Sequence, residues 1–93
     1  MTQAEVIEAI RECAPAYGVR EAYLFGSFAR NSAGPSSDVD VCVTFDGPVT
    51  MLAFVGFKIA LERRLGRRVD LVSMKAIHPA MRSGIESEWI RAA

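Results

Sequence analysis

The chain has 93 residues, 51% apolar and 24% charged, and its 11 basic side chains balance its 11 acidic ones. That composition predicts one small globular domain over residues 1–93, hiding about 60–65% of its unfolded surface, and excludes disorder, which needs low hydrophobicity and a large charge imbalance. A neutral balance argues against direct binding to nucleic acid, and with no apolar run of ~20 residues and no legible signal peptide a cytoplasmic protein with no membrane contact is expected.

Thr2-Gln3-Ala4-Glu5 reads as a capping box, and Val6, Ile10 and Cys13 follow at helical spacing until Pro15 and Gly18 close the helix. Val19 to Phe25 is short, apolar and aromatic, which suits a buried strand. Gly26-Ser27 ends it abruptly, Phe28-Ala29-Arg30 can begin a helical turn, and Asn31 to Ser37 is a loop of Asn, Ser, Gly and Pro. From Asp38 the period becomes two. Val39, Val41, Val43 and Phe45 fall on one side and Asp38, Asp40, Cys42 and Thr44 on the other, a half-buried strand stopped by Asp46-Gly47-Pro48. Thr50 caps a helix running from Met51 to about Leu65 and ended by Gly66. Val69 to Ser73 is a third short strand, and a last helix starts at Pro79 with Met81, Ile85 and Trp89 on one face. The fold class is therefore α+β, with a small mixed three-stranded sheet and helices packed on it. Cys13 and Cys42 are expected to be free thiols.

The chemistry sits in Gly26-Ser27 followed ten residues later by Asp38-Val39-Asp40. Strand alternation places the two carboxylates on one face with Cα atoms about 6.5–7 Å apart. Two such acids repel each other, and a hard divalent cation compensates them best; magnesium takes one or two carboxylates, waters and substrate phosphates. Gly26 lets the backbone turn sharply, and Ser27 with the amides of the next turn offers an anion seat. Asp70 faces opposite to Val69 and Leu71, so in a strand beside Asp40 it becomes a third metal ligand or a base for an incoming hydroxyl. Read singly, these residues have plainer roles. Asp38 and Asp40 would keep a strand edge polar, Asp70 would pair with Arg67 or Arg68, and His78 before Pro79 would be a loop or cap residue.

Leu24-Phe25-Gly26-Ser27-Phe28-Ala29-Arg30 with Ser37-Asp38-Val39-Asp40-Val41 resembles the signature of the DNA polymerase beta nucleotidyltransferase superfamily. Leu65-Gly66-Arg67-Arg68-Val69-Asp70-Leu71-Val72 resembles its small prokaryotic branch, the minimal nucleotidyltransferases that include MntA-type antitoxins. The resemblance runs from about Tyr23 to the end of the chain. It implies a polymerase beta-like fold and a site for ATP as nucleotide donor with Mg2+. Gly26, Ser27 and Arg30 would bind the triphosphate, and Asp38, Asp40 and Asp70 would be the catalytic, metal-binding acids. It implies AMP transfer to a tyrosine of a helical HEPN-type toxin. Two positions depart from the pattern, Phe28 where the family often has Arg and Asn31 where it often has Gly.

The Met51–Leu65 helix carries apolar residues on nearly every side, more than a two-layer domain covers, so it is expected to pack against a partner or a second copy. The alternative function follows from it: a non-catalytic antitoxin that neutralises a helical partner by occlusion.

Overall fold

A computed structural model describes residues 1–93. Helix α1 (Gln3–Cys13) begins in the capping box: the Glu5 N–H donates to Thr2 Oγ1 at 3.1 Å, and the Thr2 N–H to Glu5 Oε1 at 3.2 Å. A 3-10 turn (Ala14–Tyr17) leads into β1 (Val19–Phe25), then a one-turn helix α2 (Gly26–Ala29), and the loop to β2 (Val39–Phe45). Helix α3 (Met51–Leu65) starts on Thr50, whose hydroxyl accepts from the Ala53 N–H at 3.1 Å, and ends on Gly66. It carries the chain across to β3 (Val69–Ser73), the crossover that a parallel pair requires. A second 3-10 turn, helix α4 (Pro79–Glu86) and a two-residue strand β4 (Ile90–Arg91) complete the chain.

The sheet is mixed, in the order β3-β2-β1-β4, with β1 antiparallel to β2 and β4, and β2 parallel to β3. The expected three strands are present, and β4 makes four. A two-residue strand is too short to show a period, which is why the sequence does not announce it. The closing helix is likewise shorter than its apolar spacing predicts. It stops at Glu86, so of Met81, Ile85 and Trp89 only Ile85 is buried in it, while Trp89 leaves the helix and stacks on Tyr23 with ring centroids 4.0 Å apart.

One face of the sheet supplies the core. Leu24, Val39, Val41, Val43, Val69 and Leu71 join Val6, Ala9 and Ile10 of α1 and Phe57, Leu61 and Leu65 of α3 in a single apolar cluster. Phe57 is fully buried, so it belongs to the core and not to any outer surface of α3. The rest of that helix is only partly covered: Met51 and Leu52 stay 75% and 85% exposed, with Val55 and Ile59 on the same side. No helix is long and apolar enough to cross a membrane.

Candidate active site

The open face of the sheet is built from the residues that alternate with the core. Neighbouring strands hold paired residues on the same side, and Asp40 is paired with Phe25 of β1 on one flank and Asp70 of β3 on the other. The register thus brings Asp40 and Asp70 side by side. Asp38 lies one residue before β2, at the end of the loop, and is exposed. The Asp70 carboxylate makes no ion pair with Arg67 or Arg68; the three ion pairs of the chain are Arg30–Glu88, Arg64–Glu12 and Arg82–Glu86.

Gly26 stands at the end of β1 with φ +73°, a left-handed conformation that side chains oppose. A Cβ there would overlap the Asp40 carboxylate and lie 2.9 Å from its Cγ. The glycine is therefore needed twice, for the turn and for the space that the acid occupies. Ser27 follows, half-buried in α2. Phe28, which stands at one of the two atypical positions, is buried under the turn, and Gln3 of α1 donates to the Phe28 and Ala29 carbonyls at 3.0 and 3.2 Å. Asn31, at the other, takes φ +56°, the left-handed region that Asn tolerates better than most residues.

Burial and the negative charges of Asp70 and then Asp38 push the Asp40 carboxyl up to about 6, while Arg30 draws it down. Asp70 and Asp38 are thus close enough to act on Asp40, as expected of a donor set that suits a cation. Oxygen donors of this kind, at one edge of an anion seat, fit magnesium with a phosphate-bearing ligand. The carboxylates do not close into a protein-only cage of three or more ligands, and magnesium usually completes its shell with water and phosphate. Cys42, on the acid face, is fully buried with Sγ 3.8 Å from Met74 Sδ, and burial pushes its thiol up to about 11. It packs as an inert neutral group.

Two residues that the sequence does not assign to the site belong to it. Arg67 donates to the Gly34 and Ser37 carbonyls at 3.1 and 3.2 Å and lies over the Phe28 ring at 5.2 Å, so it ties down the loop that ends in Asp38. Glu88 accepts from the Gly26 N–H at 3.2 Å and from Arg30 at 2.7 Å. Arg30 therefore meets a carboxylate of its own chain at the place where the sequence predicts a phosphate. A cavity of about 530 Å³ reaches from Phe25 of β1 to Asp70 of β3, beside α4, and is lined mainly by apolar side chains such as Phe25, Phe54, Ile77 and Met81.

Residues 4–91 match the nucleotidyltransferase domain family. The protein adenylyltransferase MntA of Thermococcus cleftensis is 40% identical over 98% of this chain and 93% of its own length. Among solved structures, one provisionally assigned as a minimal nucleotidyltransferase superimposes with a TM-score of 0.85 at 34% identity, covering 97% of this chain and 95% of that one. A tri-AMPylated HEPN toxin in complex with MNT antitoxin from Shewanella oneidensis gives a TM-score of 0.76 at 18% identity, over 99% of this chain and 72% of that one, a likeness of fold.

Proposed function

This chain belongs to the nucleotidyltransferase domain family, within its minimal branch, and on the geometry of its site we propose that it transfers AMP from ATP to a hydroxyl of a protein acceptor. The observation that carries the reading is the Asp40 carboxylate packed over the Gly26 turn on one side and paired with Asp70 on the other. The anion seat follows the end of β1, the first acid lies on β2 and the second on β3, neighbouring strands about 4.8 Å apart. The β- and γ-phosphates would rest against the Gly26 turn, on Ser27 and on the Arg30 N–H groups that Glu88 leaves free, placing the α-phosphorus beside Asp40. The acceptor oxygen would enter from the Asp70 side, through the apolar cavity, opposite the leaving pyrophosphate. A bond forms from that oxygen to phosphorus, the bond to pyrophosphate breaks, and the hydroxyl proton passes to Asp70 or to water. Asp38, Asp40 and Asp70 would hold magnesium, which when bound supplies neutralisation of the charge on the reacting phosphates.

The acceptor class follows from the relatives. The AMP-modified HEPN toxin bound to a protein of this fold supports a helical toxin as the partner and an antitoxin role for this chain. The test mixes the protein with magnesium, α-labelled ATP and a candidate HEPN-type toxin. Label should move to the partner with wild type and stay on nucleotide with Asp40→Asn. Label that remains on free nucleotide in both defeats the proposal.

A second reading, neutralisation by occlusion alone, is favoured by the exposed apolar row of Met51, Leu52, Val55 and Ile59 on α3. The same row would serve an adenylyltransferase that must hold its acceptor, or pair two copies of the chain. Under occlusion, Asp38→Asn keeps protection against the toxin intact while Leu52→Glu abolishes it. Under transfer, Asp38→Asn abolishes protection.

A further inference from the structure

The C-terminal segment reaches the site by strand register. β4 pairs with β1 so that Tyr23 meets Arg91 and Leu24 meets Ile90, and two further steps along that antiparallel pairing bring Glu88 opposite Gly26. The pairing is fixed at its other end, where Ala92 is buried, its N–H donates to the Ala22 carbonyl at 2.8 Å, and the Ala22 N–H donates to the Ala93 carbonyl at 3.2 Å. Between the two ends Trp89 stacks on Tyr23 with ring planes 15° apart. Glu88 is thus delivered to one place. Its two oxygens are divided between the Gly26 N–H at 3.2 Å and the Arg30 guanidinium at 2.7 Å.

We infer that Glu88 is a positioning residue for triphosphate binding: one carboxylate fixes the Gly26 turn and Arg30 relative to each other before the nucleotide arrives. This rests on the proposed site. Gly26 occupies a left-handed conformation against Asp40, and its N–H stands at the first position of a one-turn helix, where no intrahelical acceptor exists. Arg30 is the C-cap of that turn and half-exposed, so without a partner its long side chain samples many rotamers. Glu88 satisfies the first and restrains the second. One guanidinium edge is bound to Glu88, and the remaining N–H groups are left for an anion in the same plane.

The experiment has an arm without nucleotide and an arm with it. Backbone amide exchange followed by NMR should show the Gly26 N–H protected in wild type and in Glu88→Gln, whose amide oxygen still accepts, and unprotected in Glu88→Ala. For Mg-ATP, Glu88→Ala should raise KM, and the dissociation constant measured by calorimetry, about tenfold, the scale of one hydrogen bond to a charged group. Its kcat should change less than threefold. Glu88→Gln should fall between, with the turn held and Arg30 loosened. Tighter binding in Glu88→Ala would overturn the inference and make Glu88 an occupant of the phosphate seat; equal binding in all three would also overturn it. Wild type with a protected Gly26 amide and no affinity for Mg-ATP would sink the nucleotide site itself, and this phosphate role with it.

Discussion

The two faces of one sheet are made from the same three strands and serve opposite ends. Leu24, Val39, Val41, Val43 and Val69 point into the helices and are buried to within a few per cent. One residue along each strand, Phe25, Asp40 and Asp70 point the other way, and there two acids sit side by side with a third near the strand start. The covered face lowers the free energy of the fold, whereas the open face raises it. An acid whose carboxyl is lifted to about 6 by burial and by its neighbours is under electrostatic strain in the absence of a cation. Such strain is understandable where a site must hold charge ready for a ligand.

The sharpest way to break this division is to change one residue on each face. Asp40→Asn should lower AMP transfer about a thousandfold, the scale of the several kcal/mol that metal-assisted charge stabilisation supplies. The same change should stabilise the metal-free protein by about 1 kcal/mol, a value discounted for partial solvent screening. Phe57→Ala on the covered face should do the reverse. It should cost about 3–4 kcal/mol of stability through the cavity it leaves, with transfer per folded molecule unchanged. Urea melts paired with labelled-ATP assays separate the two, and an Asp40→Asn protein less stable than wild type would refute the division.

Gly26 joins the faces, and its substitution sharpens the comparison. Gly26→Ala adds a methyl group at φ +73° into the space of the Asp40 carboxylate. It should cost about 2 kcal/mol, roughly half from the backbone and half from the overlap. Truncating Asp40 as well should recover the overlap part, so the double variant Gly26→Ala, Asp40→Ala should be less than additive by about 1 kcal/mol. Strict additivity of the two melts would show that turn and acid are independent.

A smaller effect separates the faces by pH. Asp40 sits at about 6 against its ordinary 3.8, so the folded protein binds this proton more tightly than the unfolded chain does. The stability it contributes is whole below about pH 4 and is lost as pH rises through 6. Glu12 and Glu88 are shifted the other way, by Arg64 and Arg30, so they favour the fold above the ordinary carboxylate range and lose that contribution only in acid. Between pH 5 and 7 a chelator-treated sample should therefore lose about 1 kcal/mol, seen as a falling melting temperature that Asp40→Asn does not show. A flat profile in wild type would mean that neither burial nor the neighbouring acids raise the Asp40 carboxyl.

The open face was legible from its sequence because alternation carries direction. Asp38-Val39-Asp40 followed by three alternating apolar residues fixes which side the acids take, and Val69-Asp70-Leu71 repeats the pattern on β3. Thr50 and Gly66 mark the ends of α3 by local chemistry alone. What stayed hidden depends on contacts distant in sequence. Glu88 reaches Gly26 only through β4, and two residues hold no periodicity. Arg67 reads as a candidate partner of Asp70, whereas in the fold it donates to the carbonyls of the loop before Asp38. Trp89 fits a helical spacing with Met81 and Ile85, yet α4 ends at Glu86 and the ring stacks on Tyr23 of β1, a contact distant in sequence.

The outer side of α3 is the mildest test for the fold and the most direct one for assembly. Leu52 is 85% exposed and Met51 75%, so replacing Leu52 by Glu removes no core contact. Exposed substitutions away from caps and cores shift stability by about 0.5 kcal/mol or less, and this one adds an acid in the first turn, which the helix dipole favours. The isolated protein should therefore melt as wild type does and bind Mg-ATP equally well. If the row formed by Met51, Leu52, Val55 and Ile59 is where a partner or a second copy docks, the Glu carboxylate is desolvated there without a counter-charge. Association should then weaken at least tenfold, as charge burial without a partner costs several kcal/mol. Sedimentation of the protein alone and with the HEPN-type toxin proposed as its partner reads both cases. Unchanged assembly in Leu52→Glu would place the contact elsewhere and leave the exposed row without a role.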